Sequence, residues 1–258
     1  MFFKEVTNMN EIKYKHNYIT NVILQIEFLK NDALSLITNS SILEIINKNF
    51  PTQEIDTVVN EVEVKVDNES DTANANKLRH IKKSFSRDYN CKLSVVKKML
   101  SLECNNYVSF KNFYENIQEI LKSIFTEFND EQTIRIGLRY VNMFQYEKSL
   151  KNYFNEHLKN YISFYTAEKD SENKLSRAIN RAEFISEGKR LVLQYGFYNP
   201  SYPSILNKQD FVLDIDTIDM SVFSSYDEVD KAIQKSHDLV CNMFENCISD
   251  KLRGKLNE

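Results

Sequence analysis

The spacing of hydrophobic positions changes along this chain, and each change marks an element. Val22 to Phe28 alternates as a strand with one face on a core does. Ser41 to Asn49 reads as a short helix, capped by Ser40 or Ser41 and ended before Pro51. In Thr57 to Val66, Val62, Val64 and Val66 point one way while Glu63 and Lys65 point the other, a period of two. Ile81 to Arg87 and Leu93 to Glu103 read as two further strands, joined by a turn at Asp88-Tyr89-Asn90. The polar stretch Asp67 to Lys77 reads as a loop between strands.

The period then becomes helical. Phe110, Phe113, Ile117, Leu121, Ile124 and Phe128 form one apolar stripe at steps of three and four, and Ser109 is placed to cap it. Alternation returns over Thr133 to Phe144, followed by a short helix over Leu150 to His157. Tyr161 to Ala167, Ala178 to Ser186 and Leu191 to Phe197 read as strands, the last two joined by a tight turn at Glu187-Gly188. Phe211 to Ile218 is a further strand. A long helix from Tyr226 to Leu252 closes the pattern, with Ser225 as its cap and Val229, Ile233, Val240, Phe244, Ile248 and Leu252 as its buried stripe.

The expected fold is therefore α+β. It is a tandem of two similar halves, each with a strand, a short helix, antiparallel strands and a long helix. Together they form one largely antiparallel sheet with the long helices packed on one face. The halves are 1–130 and 131–258, packed as one globular unit. The order of elements resembles a saddle-like tandem of the TATA-binding-protein kind, a resemblance that implies no DNA binding.

Composition narrows the class. The chain has 258 residues, 42% hydrophobic, with 17 Phe and 14 Tyr, which is enough to build a core without help from a disulfide or metal. A net charge of −4 excludes a surface that is cationic throughout. No apolar run approaches the ~20 residues of a membrane span. The first twenty residues hold Lys4, Glu5, Glu11, Lys13 and Lys15 and lack a signal peptide's apolar core, so the expected compartment is the cytoplasm. Cys91, Cys104, Cys241 and Cys247 form no C-x-x-C pair and read as reduced thiols. With four glycines in the chain there is no phosphate loop, dinucleotide fingerprint or nucleophile elbow. His16, His80, His157 and His237 make no zinc-hydrolase pair. No catalytic residue, cofactor or metal site is expected.

One run is distinctive: Ile134-Arg-Ile-Gly-Leu-Arg-Tyr-Val-Asn142. Upstream, Leu100 to Phe110 enters a helix through Tyr107-Val108-Ser109-Phe110. Downstream lie Leu213-Asp-Ile-Asp216 and a last helix with His237 and Phe244-Glu245. Together these resemble a sporadically distributed bacterial family of about this length. Its members share a central RIGLRYxN strand, a tyrosine–small–aromatic helix entry, and a histidine followed by phenylalanine-glutamate on the terminal helix. The resemblance covers the chain from about Tyr18 onward. It implies a shared fold and no assigned activity. The family's patchy occurrence points to accessory genes, such as mobile elements, toxin–antitoxin loci or phage defence.

Two constellations could bind. Arg135 and Arg139 share one face of the central strand with Gly137 between them, a notch suited to a phosphate or carboxylate. The alternative is structural pairing with Asp214 and Asp216, which share a face of their own strand, most plausibly Arg139 with Asp216. Lys82, Lys83, Arg87, Lys92, Lys97 and Lys98 cluster on one hairpin, as a solvated edge or as a surface for nucleic acid. Cys241 and His237 are four apart on a helix, but a mid-helix thiol lacks the stabilisation of a catalytic one. The expected function is a non-enzymatic binding or regulatory module with a protein partner. The alternatives are a nucleic-acid-binding protein or nuclease component, and a sensor of a nucleotide or other anionic small molecule whose pocket lies between sheet and helices. No membrane partner is expected, and the oligomeric state is open.

Overall fold

The computed structural model describes residues 14–67, 72–88, 90–166, 175–204 and 210–258, and only the backbone over 61–67 and 72–78. Among the described residues the chain is an α+β fold with one antiparallel sheet of ten strands and six α-helices. The first strands and helices are β1 (Ile19–Phe28), α1 (Ala33–Ile37), α2 (Ser40–Asn49), β2 (Thr52–Gln53), β3 (Thr57–Asp67) and β4 (Thr72–Arg87). Next come β5 (Cys91–Val96), β6 (Met99–Cys104), α3 (Phe110–Glu127) and β7 (Thr133–Phe144). A 3₁₀ turn (Leu150–Tyr153) leads to α4 (Glu156–Thr166), β8 (Ala178–Ser186), β9 (Lys189–Tyr198), β10 (Asp210–Asp219), α5 (Tyr226–Cys247) and α6 (Asp250–Asn257).

Across the sheet the order is β2-β4-β5-β6-β1-β7-β10-β9-β8, with β3 also alongside β4. Strands far apart in sequence meet at the centre, where β1 pairs with β7 and β7 with β10. Period-two alternation gives each of these strands a core row. Val22, Leu24 and Ile26 lie opposite Tyr140, Leu138 and Ile136, and Phe211, Leu213 and Ile215 continue the row. Helix α5 packs across β7 and β10, and α3 packs against α5 and α2. A fully buried carboxylate locks one end of the central pair. Glu131 accepts backbone N–H bonds from Lys30, Asn31 and Gln132, each at 2.9 Å, and one from the Asn31 side-chain amide at 2.6 Å. Burial alone would raise its pKa, but these donors to the charged form win and hold it below the usual carboxylate value.

Several elements differ from their sequence reading, each for a local reason. Leu93 to Glu103 is two strands, because Lys97 adopts φ 52° and turns β5 back into β6. Thr72 to Lys77 belongs to β4 and pairs with β3, since a backbone ladder forms through N–H and C=O groups whatever the side chains are. The turn residue Tyr89 lies outside the described residues. Tyr161 to Thr166 is helical, the end of α4. Its aromatics favour a strand, but Leu158 and Ile162 bury together at i, i+4 and Asn155 caps the helix through Leu158 N–H. Only a 3₁₀ turn fills the first part of Leu150 to His157. Helix α2 is capped by Asn39, and α1 had no sequence signal beyond its cap Asp32. The terminal helix breaks at Ile248, which leaves the helix to bridge Phe154, with Ser249 N–H bonded to the Tyr153 carbonyl. Cys91 and Cys104 are a disulfide rather than reduced thiols. Antiparallel pairing of β5 and β6 places them directly opposite one another, at 4.2 Å between Cα atoms, across a hairpin too long for spacing alone to reveal.

The Glu187-Gly188 turn is as expected, with both residues at positive φ. Gly196 is obligatory for another reason. Its φ is 148°, and a Cβ there would lie 2.0 Å from the Ala178 carbonyl oxygen of β8. Gly196→Ala is therefore expected to cost about 1–3 kcal/mol in backbone strain and to detach β8. A thermal melt unchanged from wild type would refute this.

Candidate functional site

Between the central strands and the two long helices lies a cavity of about 600 Å³. Three stretches build it. From β7, alternation aims Tyr140 and Asn142 at the helix side. At the start of α3, Ser109 accepts from Asn112 N–H at 3.2 Å, and this cap sets Phe110 and Tyr114 one turn apart toward the cavity. On α5, His237, Cys241 and Glu245 follow one another at i+4, with Phe244 beside them. Tyr14, His16, Asn17, Tyr18 and Ile19 supply much of the remaining wall.

Seven Phe and Tyr side chains line the wall. The His237 ring stacks on Phe110 at 3.9 Å with planes 4° apart, and Phe110 is parallel to Tyr114 at 5.7 Å. The Tyr140 hydroxyl lies 3.1 Å from His237 Nδ1, and Tyr107 meets the Tyr140 ring edge-on at 5.4 Å. Tyr14 donates to Glu245 at 2.6 Å, and Arg253 Nε holds the other Glu245 oxygen at 2.8 Å. Tyr114 donates to Asp230 at 2.8 Å. Burial first, and then these carboxylates, raise both phenols well above their ordinary pKa, so both remain donors at neutral pH.

The Cys241 sulfur is 3.7 Å from His237 Nδ1 and 3.6 Å from Nε2. Nearly equal distances place it on neither nitrogen's lone-pair axis, and it lies well inside α5, away from a helix N-terminus. Both side chains line the cavity. Among the described residues no three His, Cys, Asp or Glu side chains gather as a metal set.

Arg135 and Arg139 occupy the sheet face opposite to the cavity, because they differ in parity from Tyr140. The notch over Gly137 is covered by Arg135 itself, whose guanidinium lies 3.5 Å from where a Gly137 Cβ would stand. Arg135 Nη1 donates to Gln25 at 3.1 Å. Arg139 is held by a carboxylate of β10, but the partner is Asp214 rather than Asp216. Nε and Nη2 donate to its two oxygens at 2.8 and 2.6 Å. Asp216 is the register partner of Arg139, yet the bidentate fork reaches diagonally to the more deeply buried Asp214. Asp216 is pushed up to about 6, mainly by burial, with Arg139 opposing and Asp214 adding to the rise.

The basic hairpin residues are spread over both faces, and Lys83, Arg87 and Lys92 are paired with carboxylates. Lys83 lies 3.5 Å from Asp56, and Lys92 bonds to Glu54. Arg87 donates to Asn116 at 2.6 Å and lies 3.6 Å from Asp88. Lys98 donates to the Leu29 carbonyl, Lys97 forms the β5–β6 turn, and Lys82 is on the other side of β4 from Lys83. Three carboxylates thus interrupt any cationic stripe.

The sequence singled out Tyr107, Tyr140, Asn142 and Glu245 only as motif letters, Phe110 and Phe244 also as helix-stripe positions, and His237 also beside Cys241; the fold gathers all of them on one cavity. Tyr14, Asn17, Tyr18 and Gln118 carried no signal. The class defined by fold and site is an α+β protein with a cavity between sheet and helices that is partly lined by aromatic side chains and open to solvent at its rim. Compared with known proteins, the chain matches no family model, no curated protein and no solved structure.

Two predictions concern the opposite face. Arg139→Ala and Asp214→Ala should each lower stability by about 1–3 kcal/mol, between the limits for exposed and buried pairs, and the double variant should lose less than their sum. Additive losses in denaturant melts would show that the pair is not coupled. Asp216 has a folded pKa above its unfolded value, so the native state holds this proton more tightly. Its contribution to stability therefore declines as pH rises from about 4 to about 6 and stays low above that. Asp216→Asn should flatten the profile in that window and raise the melting temperature at pH 7.5. An unchanged slope would contradict this.

Proposed function

We propose that this chain is a non-enzymatic binding protein whose site is the cavity between the central strands and α3 and α5, and that its ligand is a small organic molecule. The observation that carries this reading is convergence. Three motif stretches, separated by some 30 and some 95 residues as counted along the sequence, place Tyr107 and Phe110, Tyr140 and Asn142, and His237, Phe244 and Glu245 on one cavity. Its volume of about 600 Å³ falls in the range of small-molecule sites, and an apolar wall with a few converging polar groups is their usual chemistry.

The same convergence favours membership of the family with the RIGLRYxN strand, since its three shared stretches are the ones that meet. The reading also takes up the tandem of halves. From the centre outward, β1-β6-β5-β4 and β7-β10-β9-β8 run in the same order, each followed by its long helix. In an accessory-gene setting such a protein would report the ligand to a partner protein. Arg139 has no part in the pocket, because it faces the other way. The ion pairs along the basic hairpin favour a solvated edge over a nucleic-acid surface.

Cys241 makes the test direct. It is the exposed thiol at the cavity, Cys247 is buried, and the other two cysteines are bonded to each other. In a thermal-shift screen of small organic molecules, a true ligand at about 100 times its Kd stabilises by about 2.7 kcal/mol. It should also slow alkylation of Cys241 by N-ethylmaleimide, and Tyr140→Phe with His237→Ala should abolish both effects. Stabilising molecules that leave Cys241 alkylation untouched would place the site elsewhere.

A further inference from the structure

Resting on the binding reading above, we infer that the cavity selects a hydrogen-bond donor: a molecule that brings an N–H or O–H group, carried on an apolar body, to Asn142. Asn142 is only 3% exposed, yet it lines the cavity from β7. Its amide nitrogen donates to the Leu213 carbonyl of β10 at 3.2 Å. A carbonyl can only accept, so this bond fixes which end of the amide is which: Nδ2 faces β10, and Oδ1 is turned away from it. Among the described residues no group donates to that oxygen. The unpartnered oxygens of Asn21 and Thr133 are sealed inside the protein, whereas Asn142 Oδ1 keeps an opening, and the space this side chain lines is the cavity.

The neighbouring polar groups have already committed their hydrogens. Tyr14 donates to Glu245 at 2.6 Å, and Tyr114 donates to Asp230 at 2.8 Å. The Tyr140 hydroxyl and His237 Nδ1 share a hydrogen bond of 3.1 Å. What Asn142 offers a ligand is therefore an acceptor. A molecule that fills this space displaces water from Oδ1, and a buried acceptor left without a donor is costly. A ligand N–H or O–H restores the bond. A carbonyl, ether or carboxylate end would set lone pairs against lone pairs. The apolar remainder would lie against Tyr107 and Phe244, cavity residues that are only partly buried. A site built to hydrogen-bond a ligand's donor rejects the analogue that lacks it, so this one contact selects among molecules of the same shape.

The experiment compares three probes of one bicyclic shape. Indole carries a donor N–H, benzofuran has an acceptor oxygen in its place, and indene has neither. Each is titrated against the rate of Cys241 alkylation in the full chain. Indole should protect at a concentration at least about ten times lower than either isostere. Asn142→Leu should erase that preference, so that indole and indene protect alike. If the variant is too unstable to assay, the comparison on the unaltered chain decides alone. Equal protection by indene, or stronger protection by benzofuran, would overturn the donor reading while keeping the cavity as a ligand site. An indole preference that survives in Asn142→Leu would overturn the role of Asn142. Should none of the three protect while a screened molecule does, that molecule is compared with its analogue lacking the N–H or O–H. A loss of about tenfold supports the donor reading, and unchanged protection overturns it. If nothing protects, both readings fall together.

Discussion

The register between β1 and β7 is the constraint on which the rest of the molecule depends. Val22 stands opposite Tyr140, Leu24 opposite Leu138 and Ile26 opposite Ile136. Side chains alternate with a period of two, so a slip of one residue would move every group of β7 to the other face. Tyr140 and Asn142 would leave the cavity, and Arg135 and Arg139 would enter the core beneath α5. The Glu131 carboxylate, buried under the backbone N–H groups of both strands' ends, fixes this register where the chain turns away.

One strand thus serves two chemistries. On its helix side the RIGLRYxN run contributes Ile136 and Leu138 to the core, and Tyr140 and Asn142 to the cavity. On its far side the same run contributes the Arg139–Asp214 fork, which ties β7 to β10. The separation is a matter of dielectric as well as geometry. A guanidinium among the buried rings of α3 and α5 would need a carboxylate of its own, whereas at the other face it remains half exposed and keeps part of its hydration.

The cavity exists because the helices cannot close over this part of the sheet. Phe110 and His237 stack against each other at the junction of α3 and α5, and the Tyr140 hydroxyl takes its hydrogen bond from that junction rather than from solvent. The polar atoms of the wall are therefore partly committed to one another.

Much of the fold was legible along the chain, because period-two and period-3.6 patterns are imposed by one face of an element meeting a core. Strand β7, strand β8, the Glu187-Gly188 turn and the caps of α3 and α5 all follow from local spacing and backbone chemistry. Tertiary structure decided what local spacing does not encode. It chose helix over strand for Tyr161 to Thr166, through burial of Leu158 and Ile162. It broke the last helix where Ile248 bridges Phe154, and it brought Cys91 across from Cys104 through a hairpin turn at Lys97. It also turned Tyr107, Tyr140 and His237 from letters in separate motifs into neighbours. Their meeting depends on strand order and helix packing, which are set by contacts between residues distant in sequence. No pattern within a single stretch of chain carries that information.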